Sequence, residues 1–192
     1  GTPSGAETLT VVPSSSTAIY DASGNAASTT QSNNTVSLND QAVPIVSGTT
    51  IASNNSTIAV TFNEAIYNTS GGSGVLEASD FALSISGGDG IEVGATPSSI
   101  LISGNVYTLG LTLTGTPSGA ETLTVVPSSI TAIYDASGNA ASTSQSYNTV
   151  SLNDQAAPIV TNVTSTKVNG TYSTGEVIPI TVTFNKVVNV TG

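Results

Sequence analysis

The sequence predicts an all-β protein made of tandem β-sandwich domains. Apolar and polar residues alternate through many short segments, which is the pattern of strands with one buried face. Clusters of Gly, Asn, Ser and Asp separate these segments and favour turns. The third observation is a long internal repeat, because residues 1–46 and 115–160 align without a gap and differ at four positions.

The expected strands follow one another closely within each unit. They are "STIAVTFNEAI", "DFALSIS", "SSILISG", "NVYTLGLTLTG", "ETLTVVP" and "NTVSLND", and the expected turns are "SGGSG", "SGGDG" and "ASGN". No segment of helix length shows a 3.6-residue period. About seven strands in about 110 residues predict an immunoglobulin-like β-sandwich. The apolar residues expected in its core are Ile58, Val60, Phe62, Phe81, Leu83, Ile85, Leu109, Leu111, Leu123, Val125 and Val150.

The repeat predicts the domain boundaries. The same passage begins at Gly1 and again 114 residues later (115 minus 1). Each copy ends in a strand followed by a proline, which ends ladder pairing and stiffens a short connection. We therefore expect residues 1–42 to be the C-terminal half of an immunoglobulin-like repeat, and residues 43–156 to be one complete repeat. Residues 157–192 are then the N-terminal part of a related but different domain, and the chain is expected to be a segment of a longer array.

Composition excludes several classes of function. Charged residues make up 7% of the chain, with twelve acids, two bases and a net charge of -10. Nucleic acids and anionic membranes attract clustered Lys and Arg, so neither is an expected partner. No apolar run reaches the ~20 residues that span a bilayer, so no membrane insertion is expected in this segment. The chain has no Cys or His, and the spacing of its acids singles out no pair of carboxylates for catalysis, so we expect no enzymatic activity.

Several motifs resemble a known family. "VTFNEAI", "DFALSISGG", "VYTLGLTLTG", "AIYDASGNAAS" and "LNDQAAP" together resemble the bacterial Ig-like tandem repeats of large, acidic extracellular surface proteins and adhesins. "NGTYSTGEVIPITVTFNKVVNVTG" resembles a sister repeat type in the same proteins. The resemblance implies a cell-surface location, tandem domains that form a stalk or filament, and calcium at domain junctions. The implied partners are neighbouring repeats of the same chain and other copies in a fibre, whereas the surface ligand is unknown.

Acidic and amide side chains are expected to meet where one domain follows the next. In the predicted strand order, Glu64 lies in one loop at this end of the sandwich, and Asp135 and Asn139 lie in another. The preceding linker adds Asn39 and Asp40. Calcium prefers such oxygen ligands, and three acids close together repel one another without a cation. Either calcium binds here, or Asp135 and Asn139 form an Asx turn and Glu64 is solvated.

The linker also resembles the cadherin linker "DxNDNAP", in which Asp and Asn bind interdomain calcium. Ser37 or Ser151 replaces the first Asp of that pattern here. In the third unit, Lys186 takes the place of Glu64, and an ammonium group does not ligate calcium. We therefore expect the junction at Asp154 to bind calcium more weakly, or to hold a salt bridge between Lys186 and Asp154.

Two functions fit these features. The first is a structural spacer, because near-identical copies supply length rather than a specific site. The second is a carbohydrate- or surface-binding adhesion module. That function needs exposed aromatic platforms, for which the sequence offers Tyr67, Tyr107 and Tyr147.

Overall fold

The structure is a computed structural model that describes residues 1–88 and 90–191. The predicted all-β fold is confirmed, because every strand pair of the described residues is antiparallel and the helical structure is a single 3-10 turn, Ala78–Asp80. Asp89, in the predicted turn "SGGDG", lies outside the described residues. The strands are β1 (Thr8–Thr10), β2 (Thr35–Ser37), β3 (Val46–Ile51), β4 (Thr57–Phe62), β5 (Phe81–Ser86), β6 (Glu92–Val93), β7 (Ile100–Ser103), β8 (Val106–Gly110), β9 (Leu113–Thr114), β10 (Thr122–Pro127), β11 (Thr149–Ser151), β12 (Val160–Ser165) and β13 (Ile180–Phe184).

Residues 43–156 contain a sandwich of two main sheets. One sheet has the order β3-β4-β8-β7, the other has the order β11-β10-β5, and β6 and β9 form a small third sheet. In the second sheet β10 pairs with β11 and places Leu123 opposite Val150. The other edge of β10 pairs with β5, where Val125 lies opposite Leu83. Side chains from both main sheets meet in one apolar core.

The predicted core residues lie in or against this core. Ile85, Leu111 and Val150 are half-buried at its edge, and the other eight are buried. The alternating pattern missed a further group, because most of its members lie in irregular segments or at strand ends, where no period of two is visible. This group comprises Val46, Ile66, Leu76, Tyr107, Ala132, Ile133, Ala141 and Leu152.

The two end segments repeat parts of the central fold. Strands β1 and β2 pair in the register of β10 and β11, so that Leu9 lies opposite Val36 as Leu123 lies opposite Val150. Strands β12 and β13 pair as β3 and β4 do, and a register shift follows the first residue in both hairpins. The sequence repeat is therefore also a repeat of local structure. In the described part of the chain, no helix has the length and hydropathy needed to span a membrane.

Candidate functional site

Three carboxylates meet where the chain enters the central domain. Asp40 lies in the linker, Glu64 follows β4, and Asp135 lies in the loop between β10 and β11. One oxygen from each of the three lies within 4.8 Å of the other two. We call these residues and the linker 39–45 the first junction. The corresponding region around Asp154 and Lys186 is the second junction.

Asp135 is buried and organises a tight turn. Its Oδ1 accepts hydrogen bonds from the backbone N–H groups of Ser137 at 2.9 Å and Asn139 at 2.8 Å. Its Oδ2 accepts a bond from the Asn139 side-chain amide at 2.7 Å. Asp21, in residues 1–42, makes the same three bonds with Ser23 and Asn25. The Asx turn that the sequence allowed is therefore present, and the same turn forms in residues 1–42.

Asp40 ties the linker to this turn. Its Oδ1 accepts a bond from the backbone N–H of Ala42 at 2.9 Å, which closes the linker on itself. Its Oδ2 accepts a bond of 3.5 Å from the Ser137 hydroxyl, and its carbonyl oxygen accepts one of 3.3 Å from the Asn139 amide. The linker and the turn of the next domain therefore share hydrogen bonds at the first junction.

Glu64 is half-buried beside these two acids. Burial and then the charge of Asp135 raise the pKa of Glu64, and Asp40 adds to this effect, whereas a 3.2 Å bond from the Asn63 side-chain amide opposes it. A raised pKa means that negative charge at Glu64 is disfavoured in this place. Either a proton or a cation would relieve that repulsion.

The donor atoms at the first junction fit a hard cation. They are carboxylate oxygens, which Ca²⁺ and Mg²⁺ prefer over nitrogen or sulfur. An ionised carboxylate has about four lone-pair sites, so the hydrogen bonds to Asp135 and Asp40 leave sites free on both residues. Asn139 turns the donor end of its amide toward both acids, and it acts here as a hydrogen-bond donor.

Asn39 is exposed and makes no hydrogen bond to the cluster within the described residues. Its counterpart in the second copy of the passage, Asn153, makes side-chain and backbone hydrogen bonds. The Asn153 side chain donates to the carbonyl of Ala52 at 3.0 Å, and its backbone N–H donates to Asn55 at 2.8 Å. Asn153 therefore binds the turn between β3 and β4.

The second junction holds an ammonium group where the first holds Glu64. Lys186 Nζ lies 2.6 Å and 2.9 Å from the two carboxylate oxygens of Asp154, and it donates to the carbonyl of Ala156 at 2.8 Å. This hydrogen-bonded ion pair lowers the pKa of Asp154. The salt bridge that the sequence allowed at this junction is therefore present.

The two linkers share a hydrogen-bonding frame that the sequence analysis did not predict. The side-chain oxygen of Asn63 accepts a bond from the backbone N–H of Ile45 at 2.8 Å. Asn185 accepts the same bond from Ile159 at 2.9 Å. The Asp154 carboxylate accepts a 2.9 Å hydrogen bond from the backbone N–H of Ala156, as the Asp40 carboxylate does from that of Ala42. The signal for this frame is the Phe–Asn pair that ends both copies of "VTFN".

The three tyrosines that the sequence offered for an aromatic platform differ in their burial. Tyr107 is buried, and its ring packs edge-on against Phe62 with ring centroids 5.8 Å apart, so the expectation that it is exposed was wrong. Tyr67 is half-buried and shares two backbone hydrogen bonds with Tyr134. Tyr147 is exposed.

Fold and junctions define an antiparallel β-sandwich with repeated linkers. The chain matches no protein-family model and no curated protein. Among solved structures, it is similar to the N-terminal part of the bacterial S-layer protein SbsC, with 20% identity and a TM-score of 0.41. The match covers 65% of this chain and 26% of that one, so the chain spans about a quarter of that structure's length.

Proposed function

We propose that the chain is a structural spacer of an extracellular, cell-surface adhesin or filament. The observation that carries this proposal is the linker frame, which recurs in front of two domains of different sequence. Asn63 and Asn185 accept the same hydrogen bond from the linker backbone. In each linker, the aspartate side chain also accepts a bond from the backbone N–H two residues further on. A tandem protein that repeats its linkers sets a similar relation between successive domains, and this relation gives a stalk a regular shape.

Two further features support this role. The near-identity of residues 1–46 and 115–160 favours a unit that adds length rather than a site that must be unique. The resemblance of the repeat motifs to bacterial Ig-like surface repeats supports an extracellular location. The partners of each repeat are then its neighbours in the same chain and other copies in a fibre.

We include calcium in the proposal for the first junction. Asp40, Glu64 and Asp135 would hold the ion, and its charge would offset the repulsion that raises the pKa of Glu64. Because the ligands come from the linker and from two loops of the next domain, a bound ion would resist bending between domains. Binding also stabilises the folded state by about 2.7 kcal/mol when free ion is 100 times its dissociation constant.

Small-angle scattering tests the spacer role directly. Proteins with two, three and four tandem copies of residues 43–156 are measured in calcium. A spacer lengthens by a constant increment with each added copy, because each junction repeats the last. If the maximum dimension levels off, the repeats fold back on one another and the spacer function is wrong. Calorimetric titration of the same proteins with calcium tests metal binding separately. The heat of binding should increase in proportion to the number of junctions that carry the three carboxylates of the first junction.

A further inference from the structure

Strand β7 is the open edge of the central domain in the part of the chain that the structure describes. The two main sheets have four edge strands, β3, β7, β5 and β11. Strands β3 and β11 lie side by side, and the Thr49 hydroxyl donates to the Thr149 carbonyl at 3.0 Å. The edge of β5 is covered by a following segment, since the Leu83 N–H donates to the Ala95 carbonyl at 2.8 Å. Strand β7 pairs with β8 alone, so its other edge is uncovered.

The backbone groups at this open edge belong to Ile100 and Ile102. The Gly110 N–H of β8 donates to the Ser99 carbonyl at 2.9 Å. Successive residues of an antiparallel strand point their backbone groups to alternate sides, so Leu101 faces β8 as Ser99 does. The N–H and C=O groups of Ile100 and Ile102 therefore point away from β8, where no other strand of the described residues pairs with them.

The side chains of β7 make this edge apolar. Leu101 is 70% exposed and Ile102 is 38% exposed. Strands β3–β11 lie within the described residues, and among them β7 alone carries large apolar side chains that are exposed. Natural edge strands are usually protected by Lys, Pro, an inward-pointing charge or a bulge, and β7 has none of these. An unprotected apolar edge is a template for pairing with another strand.

The distribution of charge favours a second copy of the chain as that strand's source. The chain has a net charge of -10, so two copies repel one another wherever their acids come close. The sheet β3-β4-β8-β7 differs from the rest of the domain, because its four strands and the turns 52–56 and 104–105 contain no charged residue. Two copies that meet at β7 therefore join two uncharged sheets.

We propose that β7 pairs antiparallel with β7 of a second copy of this chain, about a two-fold axis at Leu101. Ile100 of each copy exchanges both backbone hydrogen bonds with Ile102 of the other, which satisfies every outward-facing backbone group of these residues. The two Leu101 side chains lie opposite one another in a non-hydrogen-bonded pair, where cross-strand side chains are closest. The proposal goes beyond the spacer function and does not depend on it, because it rests on the central domain alone.

A two-fold axis at Ile102 fits the edge less well. It would place Leu101 opposite Ser103, so that the most exposed leucine of the edge would have a polar partner. It would also place Ile100 opposite Gly104, which has a φ of 56° and lies outside β7. The axis at Leu101 therefore gives the better match in both side chains and backbone. Because each copy uses the same edge, the contact closes at two copies.

Sedimentation equilibrium over a concentration series tests the pairing. A contact between two strands of four residues is smaller than a standard interface of ~1,200–2,000 Å², so the dimer should be weak and reversible. At physiological ionic strength, which screens charges more than about 8 Å apart, the chain should shift from monomer toward dimer as its concentration rises to about 0.5 mM. A chain that stays monomeric over this range would overturn the proposal.

Leu101→Lys places an ammonium group on the proposed axis. It should raise the dissociation constant of the dimer at least tenfold, because two like charges would lie opposite one another. The substitution lowers the net negative charge, so stronger repulsion between whole chains would not explain the loss. Circular dichroism checks that this exposed substitution leaves the fold intact.

Thr50→Lys is the matched control for the same charge change. Thr50 is exposed and lies in the same cross-strand row as Leu101, through Ala59 and Thr108, but at the β3 edge of the sheet. This variant should form dimers as the wild-type chain does. If Leu101→Lys associates like the wild type, the contact lies elsewhere and the proposal is wrong. If Thr50→Lys weakens the dimer as much as Leu101→Lys, the edge of β7 is not the contact and the proposal is also wrong.

Disulfide trapping tests the register. The chain has no Cys, so one introduced cysteine is the only thiol present. Leu101→Cys places two thiols on the axis, whereas Ser103→Cys, on the same exposed face of β7, places them four residues apart along the strands, or about 13 Å. A disulfide needs Cα atoms within about 7 Å, so Leu101→Cys should give at least fivefold more disulfide-linked dimer on mild oxidation. Equal yields from the two variants would overturn the proposed pairing.

Discussion

Glu64 and Lys186 occupy the same place at two successive junctions. Each follows the asparagine whose side chain binds the linker backbone, and each reaches the aspartate of its linker. Opposite charges in one position mean that the first junction concentrates negative charge, whereas the second supplies its own cation. The two junctions should therefore respond differently to pH and to added metal ions.

Removing the charge of Glu64 should stabilise the metal-free protein. The folded state raises the pKa of Glu64 above its usual value of 4.5, so it binds that proton more tightly than the unfolded state does. Stability from this group is therefore present at low pH and is lost as the pH rises through the raised pKa. In chelator at pH 7, Glu64→Gln should raise the free energy of unfolding by about 0.2–1 kcal/mol, the range for exposed charges. Urea denaturation measures it, with Glu92→Gln as a control that should show no gain.

The ion pair at the second junction should be visible as a pKa change. The Lys186 ammonium holds the pKa of Asp154 below its usual value of 3.8. In Lys186→Gln, the pKa of Asp154 should rise toward 3.8, as followed by the carboxyl carbon shift in an NMR titration. Lys167→Gln is the matched control, because Lys167 pairs with Glu176 instead. An Asp154 titration that is the same in both variants would show that the ion pair does not persist in solution.

Core truncation should distinguish the two copies of the repeat. Leu123→Ala removes a fully buried side chain, and should lower the free energy of unfolding of the central domain by about 2–5 kcal/mol. Leu9→Ala makes the same change at an exposed position, and should leave that transition unchanged. Denaturation followed by circular dichroism compares the two variants. Similar losses would mean that residues 1–42 are part of the central core.

Glu121 should contribute to stability through a buried carboxylate. Burial alone would raise its pKa, but bonds from the Ser118 hydroxyl and the N–H groups of Ser118 and Gly119 outweigh burial and lower it. Its contribution is therefore complete above 4.5 and is lost as the pH falls through the lowered pKa. At pH 7, Glu121→Gln should cost about 1–3 kcal/mol in urea denaturation. Glu7→Gln, which alters the exposed copy of this residue, should leave the main transition unchanged.

Much of the fold was predictable because strands with one buried face leave a period of two. Phe81, Leu83 and Leu123 lie in such strands, and all three are buried. Ile133 and Leu76 were missed because they lie in irregular segments, where apolar and polar residues do not alternate. The burial of Tyr107 was also missed, although Tyr107 lies two residues before buried Leu109 and therefore on the same face of β8.

The candidate site was less accessible from the sequence. The predicted strand order placed Glu64 and Asp135 in two loops at the same end of the sandwich as the linker residue Asp40, and no sequence motif beyond that order pointed to the cluster. The Phe–Asn pair that ends both copies of "VTFN" marks Asn63 and Asn185 in the sequence, but which backbone N–H each asparagine binds depends on where that group lies in space. The contact of Asn153 with the carbonyl of Ala52 likewise depends on the fold, because 101 residues separate the two partners.

Distances across the two junctions test the central claim, that the same linker joins successive domains and that a cation holds each one. Spin labels are attached to cysteines introduced at Ser14 and Thr50 for the first junction, and at Ser128 and Thr164 for the second. In calcium, double electron–electron resonance spectroscopy should give the same mean distance for both pairs of labels, with narrow distance distributions. In chelator the first distribution should broaden, while the second stays narrow because Lys186 remains bound to Asp154. The account would be contradicted if the two label pairs gave different mean distances in calcium. It would also be contradicted if the distance distribution at the first junction were unchanged by the chelator.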